Sequence, residues 1–146
     1  MLRLSVAASI LIVLASGCAS STDTGAPAVD VQIAQLPDAG FSVEDRGFVS
    51  VAYQMTVRNR SLDRITLRRV EMKTVRSSPY TLRDEPAALT DTIEAGQEAV
   101  VTFSMWRTVD DQGSTVRRLV WVTGTVQYDS AKGSFKRAFT QSFREP

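Results

Sequence analysis

Few side chains in this sequence can carry covalent chemistry. Cys18 is the sole cysteine, and the chain has no histidine. That absence removes the Ser-His-Asp and Cys-His designs, which need an imidazole to take the proton, and with them histidine-ligated metal sites. A serine activated by lysine would need Ser-x-x-Lys spacing, and none of Lys73, Lys132 or Lys136 follows a serine by three residues. Asp84-Glu85 and Asp110-Asp111 are adjacent carboxylates of the kind a glycosidase or a calcium site uses. Neighbouring residues of an extended chain point apart, however, and there is no Asp-x-Asp-x-Asp-Gly loop, so both pairs read as solvated turn acids. No catalytic residue, metal, cofactor or enzymatic activity is expected.

Recognition chemistry is better represented. Arg58, Arg60, Arg64, Arg68, Arg69, Lys73 and Arg76 fall within nineteen residues that hold two acids, Asp63 and Glu71. The planar guanidinium fork suits carboxylates, phosphates or sugar acids, so Arg58, Arg60, Arg64, Arg68 and Arg69 are candidate partner-binding residues. The plainer reading is a pair of solvated strand faces whose cations meet Asp84, Glu85, Asp91, Glu94 and Glu98 across neighbouring strands. Of the two tryptophans, Trp121 is expected in packing. Trp106, at a strand end beside Arg107, is the candidate for an exposed aromatic surface.

Cys18 gains a specific chemistry from what precedes it. Met1-Leu2-Arg3 is a short basic start, Leu4 to Leu14 is apolar, and small residues lead to the cysteine. This is the pattern of an export signal, and the apolar run is too short for the ~20 residues that cross a bilayer core. Ala15-Ser16-Gly17-Cys18 resembles the lipobox of bacterial lipoproteins, with Ala15 where Leu is most usual. The resemblance implies that the Cys18 thiol receives a diacylglyceryl group, that residues 1–17 are cleaved away, and that the freed amine is acylated with a chain such as palmitate. Two or more chains give stable membrane attachment, at about 0.8 kcal/mol per buried methylene. Ala19, in place of an inner-membrane Asp, implies the outer membrane facing the periplasm. The rival reading is ordinary secretory cleavage, leaving a free thiol in an oxidising compartment.

The chain has 17 Lys+Arg and 16 Asp+Glu, and residues 1–17 contain Arg3 and no acid, so the remainder is balanced. A neutral chain exerts no general pull on nucleic acid, which is not expected as a partner. Residues 18–30 are small and polar, with Gly25 and Pro27, and read as the lipidated cysteine and a flexible tether. Residues 31–146 suit one domain, and with a single cysteine its stability must come from burial and backbone pairing.

The domain reads as strands. Alternation begins at Val29 and ends near Leu36, before the turn Pro37-Asp38-Ala39-Gly40. Val49, Val51, Tyr53, Met55 and Val57 alternate with polar or small residues, a period of two that points them into a core. Ile65 and Leu67 are out of phase with Val70 and Met72, and a β-bulge at Arg68-Arg69 would return all four to one face. Tyr80 to Arg83 is at most a brief edge strand, and Ala87-Ala88-Leu89 is the one place for a helical turn. Ile93 to Gln97 is a turn into the strand Glu98 to Trp106. After the turn Asp110 to Ser114, Arg118 to Tyr128 is apolar on both faces, as a central strand is. Phe135, Phe139 and Phe143 share one face of a last strand joined to it by a hairpin.

Six strong strands and one or two weak ones, without a long helical pattern, predict an all-β antiparallel sandwich of immunoglobulin-like or fibronectin-III-like character and about seven strands. Val49 to Arg58, the polar turn after it, and Ile93-Glu94-Ala95-Gly96 ahead of a further strand are similar to the LEA14-like sandwich family, whose Asn-Pro-Asn turn is replaced here by Arg58-Asn59-Arg60-Ser61. The expected function is a membrane-anchored envelope lipoprotein that acts as a non-enzymatic protein-interaction or assembly module with an envelope protein as partner. The alternative is a solute- or glycan-binding lipoprotein using an aromatic pocket near Trp106. A lipid-anchored hydrolase on loop carboxylates ranks third.

Overall fold

The computed structural model describes residues 25–37, 43–44, 47–75, 78–108 and 119–145. These form nine antiparallel strands: β1 (Val29–Gln35), β2 (Val43–Glu44), β3 (Phe48–Asn59), β4 (Ile65–Thr74), β5 (Ala87–Ala88), β6 (Thr92–Ile93), β7 (Glu98–Thr108), β8 (Leu119–Ser130) and β9 (Gly133–Arg144). There is no helix among the described residues. Cys18 and the turns at Asp38 to Gly40 and Asp110 to Ser114 lie outside them, as do Arg76 and Arg118.

The period-two run of β3 sets the first sheet. Its partner β7 runs beside it from Phe48↔Thr108 to Arg58↔Glu98, while β1 and β2 share its other side end to end. In the second sheet β4 pairs with β8, β8 with β9, and the two-residue strands β5 and β6 lie on the other side of β4. β1, β3 and β7 thus face β4, β8 and β9, the division of long strands found in immunoglobulin-like sandwiches. β8 is central, as its two apolar faces predict.

Between the sheets Tyr53, Met55 and Val57 meet Leu67, Val70, Val122, Val126 and Tyr128, all essentially without solvent contact. Each such side chain contributes on the order of 1.5–3 kcal/mol by burial. The phase slip in β4 is the expected bulge: Leu67 faces Tyr128, Arg69 faces Gln127, and Arg68 is the extra residue. It keeps Leu67 and Val70 both buried. Gly124 lies on the inward face of β8, where a Cβ would stand 2.2 Å from the Glu71 carbonyl oxygen and 2.6 Å from the Phe139 ring. The missing side chain is what lets Phe139 lie over the strand.

Buried polar atoms are joined in lines. The Tyr53 and Tyr80 hydroxyls are 2.8 Å apart, and Tyr80 also donates to Gln35 Oε1 at 2.8 Å. The Arg107 guanidinium lies 4.8 Å from the centre of the Tyr80 ring and 2.9 Å from Glu145 Oε1. At the opposite end the Tyr128 hydroxyl donates to the Pro27 carbonyl at 2.9 Å. Packing therefore extends back into residues 27–30, ahead of residue 31.

One local expectation is corrected. Ala87-Ala88 is strand β5, not a helical turn: it pairs with Val70 and Arg69, and the Leu89 N–H donates to the Arg68 carbonyl. The edge of β4 that faces away from β8 offers those partners, and a single helical turn has none comparable. Tyr80 to Arg83 is held to the edge of β7 by the single bridge Leu82↔Arg107, with Tyr80 and Leu82 buried.

Candidate functional site

The arginine turn is built on Asn59. This side chain ends β3 fully buried, where Nδ2 donates to the carbonyls of Asp63 (2.8 Å), Glu94 (3.1 Å) and Ile93 (3.2 Å). Its Oδ1 accepts from the Ser61 hydroxyl (2.7 Å) and the Ser61 N–H (3.0 Å). One amide thus fixes the β3–β4 turn and ties it to the Ile93–Gln97 turn, which, like it, crosses between the two sheets. Gly96 closes that second turn at φ +72°, in the left-handed region.

The cations around this frame are spread rather than gathered. Arg58 lies on the outer face of the first sheet, in register between Asp30 and Glu98, and makes no ion pair among the described residues. Arg60 pairs with Asp30, and Arg64 with Glu94 at 2.9 Å. Arg68, in the bulge, reaches Asp129 at 2.6 Å, while Arg69 pairs with Glu71 at 3.0 Å and Lys73 with Asp84 at 3.0 Å on the outer face of the second sheet. Arg58 and Arg69 therefore occupy opposite faces of the sandwich, and no single patch collects the five candidate arginines. Only Glu94 and Asp84 of the expected counterions are used, because Asp30, Glu71 and Asp129 are closer in register. Exposed pairs of this type contribute about 0–1 kcal/mol each.

One carboxyl in this set is perturbed. Asp129 accepts from the Ser134 hydroxyl at 2.5 Å and from Arg68, which together hold it below the ordinary carboxylate value. Asp84 and Glu85 are taken up by Lys73 and Arg83. The described residues contain no cluster of three or more metal-ligating side chains, and none of their elements is a helix long and apolar enough to cross a membrane.

The tryptophans reverse the expectation. Trp106 is half-buried on β7, while Trp121 is 42% exposed on the outer face of β8. A central strand packs one face into the core and leaves the other to solvent when no third layer covers it. Val75 and Leu119 are also exposed, and the Val75 N–H donates to the Trp121 carbonyl at 2.9 Å, so an apolar patch forms at this end of the sheet. At the other end Leu62, at the tip of the arginine turn, is 96% exposed.

The sequence predicts β9 as a strand, but its cations are not among the candidate site residues. Lys136, Arg137 and Arg144 are exposed on this strand and have no carboxylate partner among the described residues. The signal was present as three cations in nine residues with no acid before Glu145.

The fold is that of a two-sheet antiparallel β-sandwich. No family profile and no curated protein matches the chain. Among solved structures it is similar to a protein from Archaeoglobus fulgidus, with a TM-score of 0.50 and 10% identity over 81% of this chain and 94% of that one. It is also similar to a Northeast Structural Genomics Consortium target, SoR45 (TM-score 0.49, 17% identity, 80% and 83% covered). A FixG-related protein from Vibrio parahaemolyticus follows (TM-score 0.39, 13% identity, 80% and 95% covered). The Archaeoglobus likeness supports the fold alone.

Proposed function

We propose that this chain is a lipid-anchored protein of a bacterial envelope, held by acyl chains on Cys18, and that its sandwich is a non-enzymatic module that binds or helps assemble another envelope protein. The observation that carries the reading is the sole cysteine placed directly after Ala15-Ser16-Gly17 at the end of the Leu4 to Leu14 apolar run. Thiol acylation needs no second cysteine, whereas a free thiol in an oxidising compartment is a liability. Ala19 favours the outer membrane, facing the periplasm. The balanced charge of the remaining chain favours a protein partner over nucleic acid.

The test is Cys18→Ser in cells labelled with a clickable palmitate analogue. The wild-type chain should carry label and sediment with membranes, and the variant should lose both. Unchanged membrane fractionation of Cys18→Ser refutes the anchor.

A further inference from the structure

We infer that the open edge of β9 docks an extended, acidic segment of another protein by strand addition, with Trp121 as the apolar anchor beside it. The inference rests on the reading of the chain as a protein-interaction module, and names its surface and the chemistry of its partner.

β9 pairs with β8 from Gly133 to Arg144 and with no other strand among the described residues. Alternate residues of this strand therefore direct N–H and C=O groups sideways without a ladder partner. The neighbouring edge is handled differently. At the seam between the sheets the Gln141 amide accepts from the Ile33 N–H (2.6 Å) and donates to the Val31 carbonyl (2.8 Å), filling a position on β1 that a strand would otherwise take. A groove of about 370 Å³, lined by Asp30, Val31, Arg137, Phe139 and Gln141 among others, follows the open side.

Charge selects the occupant. Lys136, Arg137 and Arg144 lack carboxylate partners among the described residues, whereas Arg60, Arg64, Arg68, Arg69, Lys73, Arg83, Arg107 and Lys132 all have them. A second copy fits poorly, because antiparallel pairing of two β9 strands about Thr140 sets Lys136 opposite Arg144, and like charges directly opposite are destabilising. An acidic strand meets the same positions with opposite sign. Its side chains on the outer face have room, since Ala138, Thr140 and Ser142 are small and exposed there. Ser142 faces Trp121, and Arg144 faces Leu119, so an apolar side chain of the partner can reach across Ser142 to the indole. Aromatic anchors flanked by a polar rim are where binding energy concentrates.

Full-length protein in a non-ionic detergent is titrated into a fluorescein-labelled Val-Glu peptide of roughly ten residues, the upper range of strand lengths, alternating Val and Glu but with one Leu in place of the Glu that pairs opposite Ser142. Anisotropy should rise saturably. Binding should weaken at least about tenfold in Lys136→Glu/Arg137→Glu/Arg144→Glu, a change of about 1.4 kcal/mol, and be lost when alternate peptide amides are N-methylated. No binding of the Val-Glu peptide, or equal binding of the N-methylated peptide or of the triple variant, overturns strand addition at this edge. The N-methylated arm leaves the protein unaltered, so it stays decisive if the triple variant misfolds. A photo-crosslinking residue in cells, placed at Thr140 or at Leu62, separates this inference from the reading beneath it. Adducts with an envelope protein from Thr140 that vanish in the triple variant support both. Adducts from Leu62 alone, or a dimer of this chain from Thr140, overturn the edge and leave the module; no adduct from either position removes both.

Discussion

Asn59→Ala should be among the most damaging single changes in the β3–β4 turn, although the turn sits at the surface. The side chain takes part in five hydrogen bonds with no solvent to replace them. Not all of that is lost. The Asp63 carbonyl also accepts from the Ser61 hydroxyl, and the Glu94 carbonyl from the Gln97 N–H, so these two keep a partner. What disappears is the third link, to Ile93, and both bonds to Ser61, together with the buried side-chain tie between the two turns, which leaves the exposed Arg64–Glu94 pair to join them. At a net contribution of about 1 kcal/mol for each hydrogen bond, the expected loss is about 3 kcal/mol. With a urea m-value of about 2 kcal/mol/M, the unfolding midpoint should fall by ~1.5 M at unchanged slope. Asn59→Asp should cost more, because it keeps Oδ1 but aims a buried carboxylate at three carbonyl oxygens. Equilibrium urea denaturation followed by tryptophan fluorescence measures both. A loss below about 1 kcal/mol for Asn59→Ala, or an Asn59→Asp variant more stable than it, refutes the view that this amide organises the turn.

Three other changes test separate parts of the fold. Gly124→Ala places its methyl against the Glu71 carbonyl, which as backbone cannot swing aside, so it should lower stability by about 1–3 kcal/mol; adding Phe139→Leu should not restore it, and full rescue in a thermal melt argues against the backbone clash. Asp129 titrates in the folded chain below its ordinary value of 3.8, so its contribution is present above that pH and fades as pH falls through the folded value; the stability gap between wild type and Asp129→Asn should close as the pH is lowered past 3.8, and a gap that widens reverses the sign of the reasoning. Gln141→Ala should leave the Ile33 N–H without its partner, accelerating its hydrogen exchange while amides of β3 stay protected; unchanged exchange at Ile33 shows that the seam does not depend on the glutamine.

The parts of the fold governed by side-chain period were legible in the sequence. Val49 to Val57 reads as a strand because five apolar residues recur at a spacing of two, and the slip between Leu67 and Val70 reads as a bulge because one extra residue is the smallest repair. What period does not encode was lost. Ala87-Ala88 has no alternation of its own, and it becomes a strand only because the edge of β4 lies within reach. Trp121 was placed in the core on hydrophobicity, yet on β8 the even residues Val120, Val122, Val126 and Tyr128 had already claimed the inward face. Register decides counterions too: Arg60 meets Asp30 through the pairing of β1 with β3, a contact between residues thirty positions apart that spacing along the chain does not show. The open edge of β9 follows from strand order, a property of the whole sheet, and its three cations drew no notice beside the denser arginine run.

The two ends of the sandwich are not equivalent with respect to the proposed anchor. The Arg60 N–H donates to the Ala28 carbonyl at 2.8 Å and Tyr128 holds Pro27, so the chain enters the domain at the end that carries Leu62 and the Ala131-Lys132 turn. The stretch from Cys18 to Pro27, at no more than 3.3–3.6 Å per residue, reaches roughly 30 Å when fully extended. β8 runs toward that end and finishes there at Ser130, so its twelve residues at ~3.3 Å each place Leu119 and Trp121, at its start, on the order of 35 Å further out. Under the proposed anchoring the arginine turn therefore faces the bilayer. The outer half of β9, with Ser142 and Arg144 beside Trp121, faces the compartment from which an acidic partner would arrive. The ion pairs of Arg60, Arg64 and Lys132 fit this division: these three cations at the membrane end are neutralised, with Arg58 left unpaired there among the described residues, between Asp30 and Glu98, while Lys136, Arg137 and Arg144 stand unpaired on the edge left open to a partner.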